Sequence, residues 1–211
     1  ALILIHGAPG STFDWIGFAM DEKIYNRYRL LIVDRPGYGA TKPRGVEKSI
    51  IKQAEQLLEV LKDEKQAAYI LGHSYGAPVA VIMGALSPEK IAFICGASGQ
   101  YDPDNEITMQ VNHWVNFGIF KYLLPRWLWV SNVEKLSHPD AQRELMSYYE
   151  KVDVPVGLIH GDKDSLVPYE NSPWLMNYLP DVEMETWEGK DHAIHFSDTD
   201  QLVDYMLNVP Y

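Results

Sequence analysis

The chain has a single cysteine, Cys95, among 211 residues. One thiol excludes an internal disulfide, and no paired-cysteine zinc ribbon can form. Basic residues are also scarce. Lys and Arg number 18 against 29 Asp and Glu, a formal charge of −11. Nucleic acid and anionic membranes both require a positive surface, so neither is an expected partner. The aromatic stretch Trp114 to Val130 is interrupted by Lys121, Pro125 and Arg126 and is too short for a bilayer span, so no stable membrane insertion is expected. No asparagine sits in a usable glycosylation sequon, because Asn171-Ser172 runs into Pro173. The start has no basic n-region and no cleavage pattern. Ala1 opens straight into Leu2-Ile3-Leu4-Ile5, which reads as a buried strand with further residues expected upstream. A lone free cysteine fits the cytoplasm, the expected location.

What is present is ordinary globular material, with 46% apolar and 22% charged residues. The length implies one domain, or two small ones. Strand patterns fall at Leu2–Ile5, Tyr28–Val33, Ala67–Leu71, Ile91–Cys95, Val156–His160 and Glu183–Trp187. Several are apolar almost throughout, as in parallel strands covered on both faces. Helical patterns lie between them. Ile50, Ile51, Ala54, Leu57, Leu58 and Leu61 form one apolar stripe, with Lys52, Gln53, Glu55 and Gln56 facing away. Tyr75–Leu86 reads as a small-residue helix and Thr199–Asn208 as a final one. This alternation predicts an α/β fold, a mostly parallel sheet flanked by helices. Only residues 101–151 break it, with helical fragments and no strand signal. They read as a helical insertion between strands. The core is then residues 1–100 and 152–211.

The chemistry centres on Gly72-His73-Ser74-Tyr75-Gly76. This G-x-S-x-G follows a predicted strand and precedes a small-residue helix. Such a turn must be sharp and strained to hold the serine oxygen clear of the sheet. A serine alone is a weak nucleophile, and it needs a base that is itself oriented by an acid. His192 is the candidate base, in the polar loop Glu188–His192. Asp164 is the candidate acid, in Gly161–Pro168 beyond a strand. The chain order Ser, Asp, His is the one this motif takes. His6-Gly7-Ala8-Pro9-Gly10 follows the first strand, and its Ala8 N–H can join the Tyr75 N–H as an oxyanion hole.

These segments, with Asp34-Arg35-Pro36-Gly37-Tyr38-Gly39, resemble the α/β-hydrolase family in order along almost the whole chain. The resemblance implies a serine hydrolase core with residues 101–151 as a helical lid. It also implies that two strands usual before the H-G-x-P-G strand are missing, leaving six here. His195 competes with His192, but the family's offset to the final helix favours His192. Asp162 competes with Asp164, but the pattern G-x-x-D from Gly161 favours Asp164. Asp162 then reads as a turn residue and His195 as a packing or pocket-edge residue. His6, His73 and Arg35 read as structural, and Cys95 as a buried small hydrophobe.

The aromatic residues Trp114, Phe117, Phe120, Tyr122, Trp127 and Trp129 either pack on the core or line an apolar acyl pocket. Trp114 and Trp127 are the substrate-contact candidates. His160, Asp162, Asp164, Asp191, His192 and His195 are rich in metal ligands, but no H-E-x-x-H or related pattern occurs, so no metal or cofactor is expected. The expected activity is hydrolysis of a carboxylic ester, or related acyl bond, of a small neutral apolar molecule. Perhydrolysis, carbon–carbon hydrolysis, or ligand binding without turnover on the same fold are the alternatives. The oligomeric state is not readable from the sequence.

Overall fold

The computed structural model describes residues 1–41, 46–107, 110–115 and 123–209. The strands are β1 (Leu2–Ile5), β2 (Leu30–Val33), β3 (Ala68–His73), β4 (Ile91–Ala97), β5 (Val156–Gly161) and β6 (Val182–Trp187). They form a six-stranded sheet in the order β2-β1-β3-β4-β5-β6, every neighbouring pair parallel. Each predicted strand is present, with ends moved by at most two residues. The described helices are α1 (Ile16–Ala19), α2 (Glu22–Arg27), α3 (Ile50–Leu58), α4 (Gly76–Leu86), α5 (Gln110–Val115), α6 (Arg126–Tyr149), α7 (Asn171–Met176), α8 (Ile194–Ser197) and α9 (Thr199–Asn208).

Alternation along β1 feeds two cores, one on each face of the sheet. Ile3 and Ile5 pack with Ile50, Leu57, Val81 and Leu145 on one side, whereas Leu2 and Leu4 pack with Trp15, Phe18, Leu202 and Met206 on the other. Both faces are covered by helices, which is why the strand reads as an unbroken apolar run. The same two-sided burial shapes α4. Every residue from Gly76 to Gly84 is buried, and a helix apolar on all sides belongs inside a protein.

Ser49 caps α3 by accepting from the Lys52 N–H, and Ile50, Ala54 and Leu57 are buried. The spacing predicts an outward Gln53, but the structure corrects this. Gln53 is fully buried, its Nε2 donating to Glu47 O at 2.8 Å and Glu134 Oε1 at 3.1 Å. A polar side chain tolerates such burial when its hydrogen bonds are made.

The described residues between β4 and β5 include two helices, α5 and the long α6, and no strand. Ala141, Leu145 and Tyr149, in the second half of α6, enter the same core as α4. Phe117, Phe120 and Tyr122 lie outside the described residues. Among the described residues no helix is long and apolar enough to cross a membrane.

Candidate active site

Strand β3 ends at His73, and the chain reverses into α4 through Ser74. Ser74 has φ 53°, a left-handed conformation that a non-glycine residue adopts only under strain. The flanking glycines allow the turn. A Cβ on Gly72 would lie 2.5 Å from Gly76 O, and one on Gly76 would lie 2.5 Å from Ile5 O. Both obstructions are backbone atoms, which cannot step aside as a side chain can.

The three predicted triad residues, each just beyond a strand's C-terminal end, meet in space. Ser74 Oγ is 3.1 Å from His192 Nε2, and His192 Nδ1 is 2.8 Å from Asp164 Oδ2. Asp164 Oδ1 accepts from the Leu166 N–H at 2.9 Å and the Val167 N–H at 2.8 Å. Burial works against its negative charge. Hydrogen bonds from His160 and His192, the His192 charge and the Val167 amide outweigh that, and hold the carboxyl well below the usual range.

The loops that carry Asp164 and His192 are tied together. Asp191 Oδ1 accepts from the Ser165 N–H at 2.8 Å, and Asp162 Oδ1 from the Gly189 N–H at 2.6 Å. Asp162 thus braces a turn and does not reach His192. His73 Nε2 donates to the His192 carbonyl at 3.0 Å. His195 is buried against the His73 ring, at 3.8 Å between centroids, and burial with the nearby His192 brings its pKa down to about 4.

The loop carrying Ala8 is held from beneath. Arg35 Nε donates to His6 O at 2.9 Å and its Nη2 to Gly7 O at 2.8 Å. His6 Nε2 accepts from the Arg35 N–H at 3.0 Å, so His6 carries its proton on Nδ1, which donates to Gly7 O at 2.8 Å. Arg35 is fully buried and therefore braces the loop, out of a substrate's reach. Ala8 and Tyr75 both line a cavity with Ser74. Neither N–H has a backbone acceptor among the described residues.

Two cavities open on Ser74. One, of about 200 Å³, is lined by Pro9, Leu166, His192, His195 and Phe196 among others. The other, of about 50 Å³, lies beneath α6 and includes Gln100, Glu106, Ser131, Lys135 and His138. Trp114 and Trp127 line neither. Trp114 is mostly exposed, and Trp127 borders an outer hollow with Pro9, Phe13 and Gly39. The reason is helical spacing. Trp127, Ser131, Lys135 and His138 share one stripe of α6, and Trp127 is its outermost turn. The α6 residues that line the cavity at Ser74 are thus Ser131, Lys135 and His138, and neither Trp114 nor Trp127 is among its lining residues. Glu106 pairs there with Lys135 and accepts from His138 Nδ1 at 2.7 Å. Burial opposes its charge, but His138 and Lys135 outweigh this and hold its carboxyl below the usual value. Nothing local in the sequence marks Glu106 or His138.

The sequence model of the alpha/beta hydrolase family matches residues 2–205. The chain belongs to that family. It is a hydrolase of the α/β type. It is 23% identical to the pimeloyl-(acyl-carrier protein) methyl ester esterase of Nitrosomonas europaea, over 96% of this chain and 92% of that one. It is 24% identical to the monoacylglycerol lipase ABHD6 of Homo sapiens, over 81% of this chain and 50% of that one. Among solved structures, the monoacylglycerol lipase of Paleococcus ferrophilus superposes with a TM-score of 0.75 at 15% identity, covering 98% of this chain and 93% of that one.

Proposed function

We propose that this α/β-hydrolase cleaves carboxylic esters through an acyl-enzyme on Ser74. The observation that carries the reading is the continuous path from Ser74 Oγ through His192, at 3.1 Å, to Asp164, at 2.8 Å. Ser74 Oγ attacks the ester carbonyl carbon, and His192 Nε2 takes the serine proton. The oxyanion sits between the Ala8 and Tyr75 N–H groups, a contribution of roughly 2.7–4 kcal/mol for one donor in comparable sites. His192 then passes its proton to the departing alkoxide oxygen. Water, deprotonated by His192, attacks the acyl carbon and releases the acid and Ser74. Asp164 keeps the proton on His192 Nδ1 and stabilises the imidazolium.

Residues 101–151 serve as the cover of this site. Glu106, Ser131, Lys135 and His138 roof the cavity at Ser74, while the rear of α6 is anchored in the core. The names of the curated relatives, a methyl ester esterase and a monoacylglycerol lipase, support the ester as the bond attacked. The test is a panel of chromogenic esters with wild type and Ser74→Ala, and labelling by a fluorophosphonate. Turnover and labelling should both vanish in Ser74→Ala; equal turnover by the two proteins overturns the reading.

A further inference from the structure

In the tetrahedral intermediate the attacked carbon carries Ser74 Oγ, the oxyanion, the leaving oxygen and the acyl chain. The oxyanion lies against the Ala8 and Tyr75 N–H groups, and His192 must reach the leaving oxygen to protonate it. His192 lines the cavity of about 200 Å³ and is not among the residues lining the one of about 50 Å³. The leaving alcohol therefore goes to the larger space, and the acyl chain to the smaller one beneath α6. A space that small takes roughly the methyl of an acetyl group and a carbon or two beyond it, but no phenyl ring.

The larger cavity suits an apolar alcohol. Its surface is mostly apolar, with Pro9, Leu166, Ala193 and Phe196 in the wall. Leu166 and Phe196 are each more than half exposed and belong to neither core, so internal packing does not account for them. Two such side chains on one wall beside the nucleophile form a surface that an apolar ligand can cover. The outer hollow bordered by Phe13 and Trp127 shares Pro9 and Asp14 with this cavity, so the apolar surface continues outward.

Charge narrows the alcohol further. No Lys or Arg is among the described residues that line either hollow, and Asp14 is the one carboxylate there. Burial keeps His73 and His195 uncharged near neutral pH. An anionic alcohol would thus meet Asp14 with no cation to seat it.

We propose that the preferred substrates carry their bulk on the alcohol side: short acyl esters, acetates above all, of neutral apolar or aromatic alcohols seated against Leu166 and Phe196. The proposal rests on the ester-hydrolase reading, with Ser74 as nucleophile. Two isomers test it. 2-Phenylethyl acetate and methyl 3-phenylpropanoate share one formula and one phenylethyl group, with the ester reversed between them. Hydrolysis is followed by pH-stat titration, with ethyl acetate and Ser74→Ala alongside, and each rate is divided by that ester's own rate with hydroxide. The expected kcat/KM for 2-phenylethyl acetate exceeds that of its isomer by about tenfold or more. Leu166→Ala and Phe196→Ala, both at exposed positions where folding should be spared, should each narrow the gap. A gap that neither variant narrows overturns this inference. So does serine-dependent hydrolysis that favours methyl 3-phenylpropanoate, treats the isomers alike or is confined to ethyl acetate. Each of these leaves the ester-hydrolase reading standing. Turnover that survives in Ser74→Ala, or no turnover of any of the three esters, overturns both.

Discussion

His160 Nε2 lies 3.2 Å from Asp164 Oδ2, the same oxygen that His192 Nδ1 approaches at 2.8 Å. His160 is fully buried, and its Nδ1 shares a hydrogen bond with Ser172 Oγ at 2.8 Å. The Val167 carbonyl, which can only accept, also lies 3.2 Å from Nε2, so Nε2 carries a proton that points between that carbonyl and the Asp164 carboxylate. It helps to hold the Asp164 oxygen that His192 Nδ1 approaches. His160 acts through Asp164 and touches no reacting atom, so it is a positioning residue. His160→Phe should lower kcat by about tenfold or more with KM little changed. His160→Gln, which can still donate, should recover part of the loss. A matched rise in KM, or no rescue by Gln in a folded protein, would assign His160 to packing alone.

The turn at Ser74 rests on an absent side chain. An added Cβ at Gly76 meets Ile5 O at 2.5 Å and His6 O at 2.6 Å, both in the strand and loop that carry Ala8. Gly76→Ala should cost about 1–3 kcal/mol, read from urea unfolding, because overpacking here strains the backbone. It should also depress kcat, since relieving the contact moves the Ala8 loop away from Ser74. Unchanged stability would mean that the turn relaxes freely.

The sheet, the turn at Ser74 and the loops that carry Asp164 and His192 are legible in the sequence because each is a local pattern. Apolar runs mark buried strands, small residues mark the Gly72–Gly76 turn, and polar loops after strands mark Asp164 and His192. The contacts that shape the pocket are not local. Arg35 meets Glu134 across 99 positions, and His138 meets Glu106 across 32. Gln53 shows the same limit. On its own helix it reads as the solvent side, and only its packing against α6 makes it interior. Trp127 errs in the other direction. Its aromatic ring reads as pocket wall, yet it lies one helical turn beyond the residues that reach Ser74.

Acid should unfold the protein early, through its buried histidines. Burial, then the Arg35 charge, brings His6 from 6.5 down to about 3. Burial, then His192, brings His195 down to about 4. Burial, then His195, pushes His73 well below its usual value. As pH falls from 6.5 towards 4, the unfolded chain binds protons at these sites and the native one does not. Stability therefore falls with pH, by up to about 1.4 kcal/mol per pH unit for each imidazole. The Asp164 carboxyl, also held low, loses its contribution only at lower pH still. Urea unfolding at pH 7, 6, 5 and 4.5 should show the decline, and His195→Phe should make it shallower. A flat profile across that range would contradict these protonation states.

The ion pair between Arg35 and Glu134 ties α6 to the loop that carries Ala8. Both side chains are fully buried, with Nη1 2.8 Å from Oε1. Tyr38 Oη donates to Glu134 Oε2 at 2.6 Å, and Gln53 Oε1 accepts from Arg35 at 2.9 Å. Removing one partner leaves the other charge buried and bare. Glu134→Ala should therefore cost about 3–5 kcal/mol in denaturant unfolding, as should Arg35→Met. Replacing both together should cost less than the sum, because no uncompensated charge remains. Catalysis should respond differently. Arg35 also holds the His6 and Gly7 carbonyls, so Arg35→Met should lower kcat even where the protein stays folded. The Arg35→Met, Glu134→Met double variant should regain stability without regaining that rate. Recovery of both together would mean that the pair serves folding only and that the Ala8 loop holds its own shape.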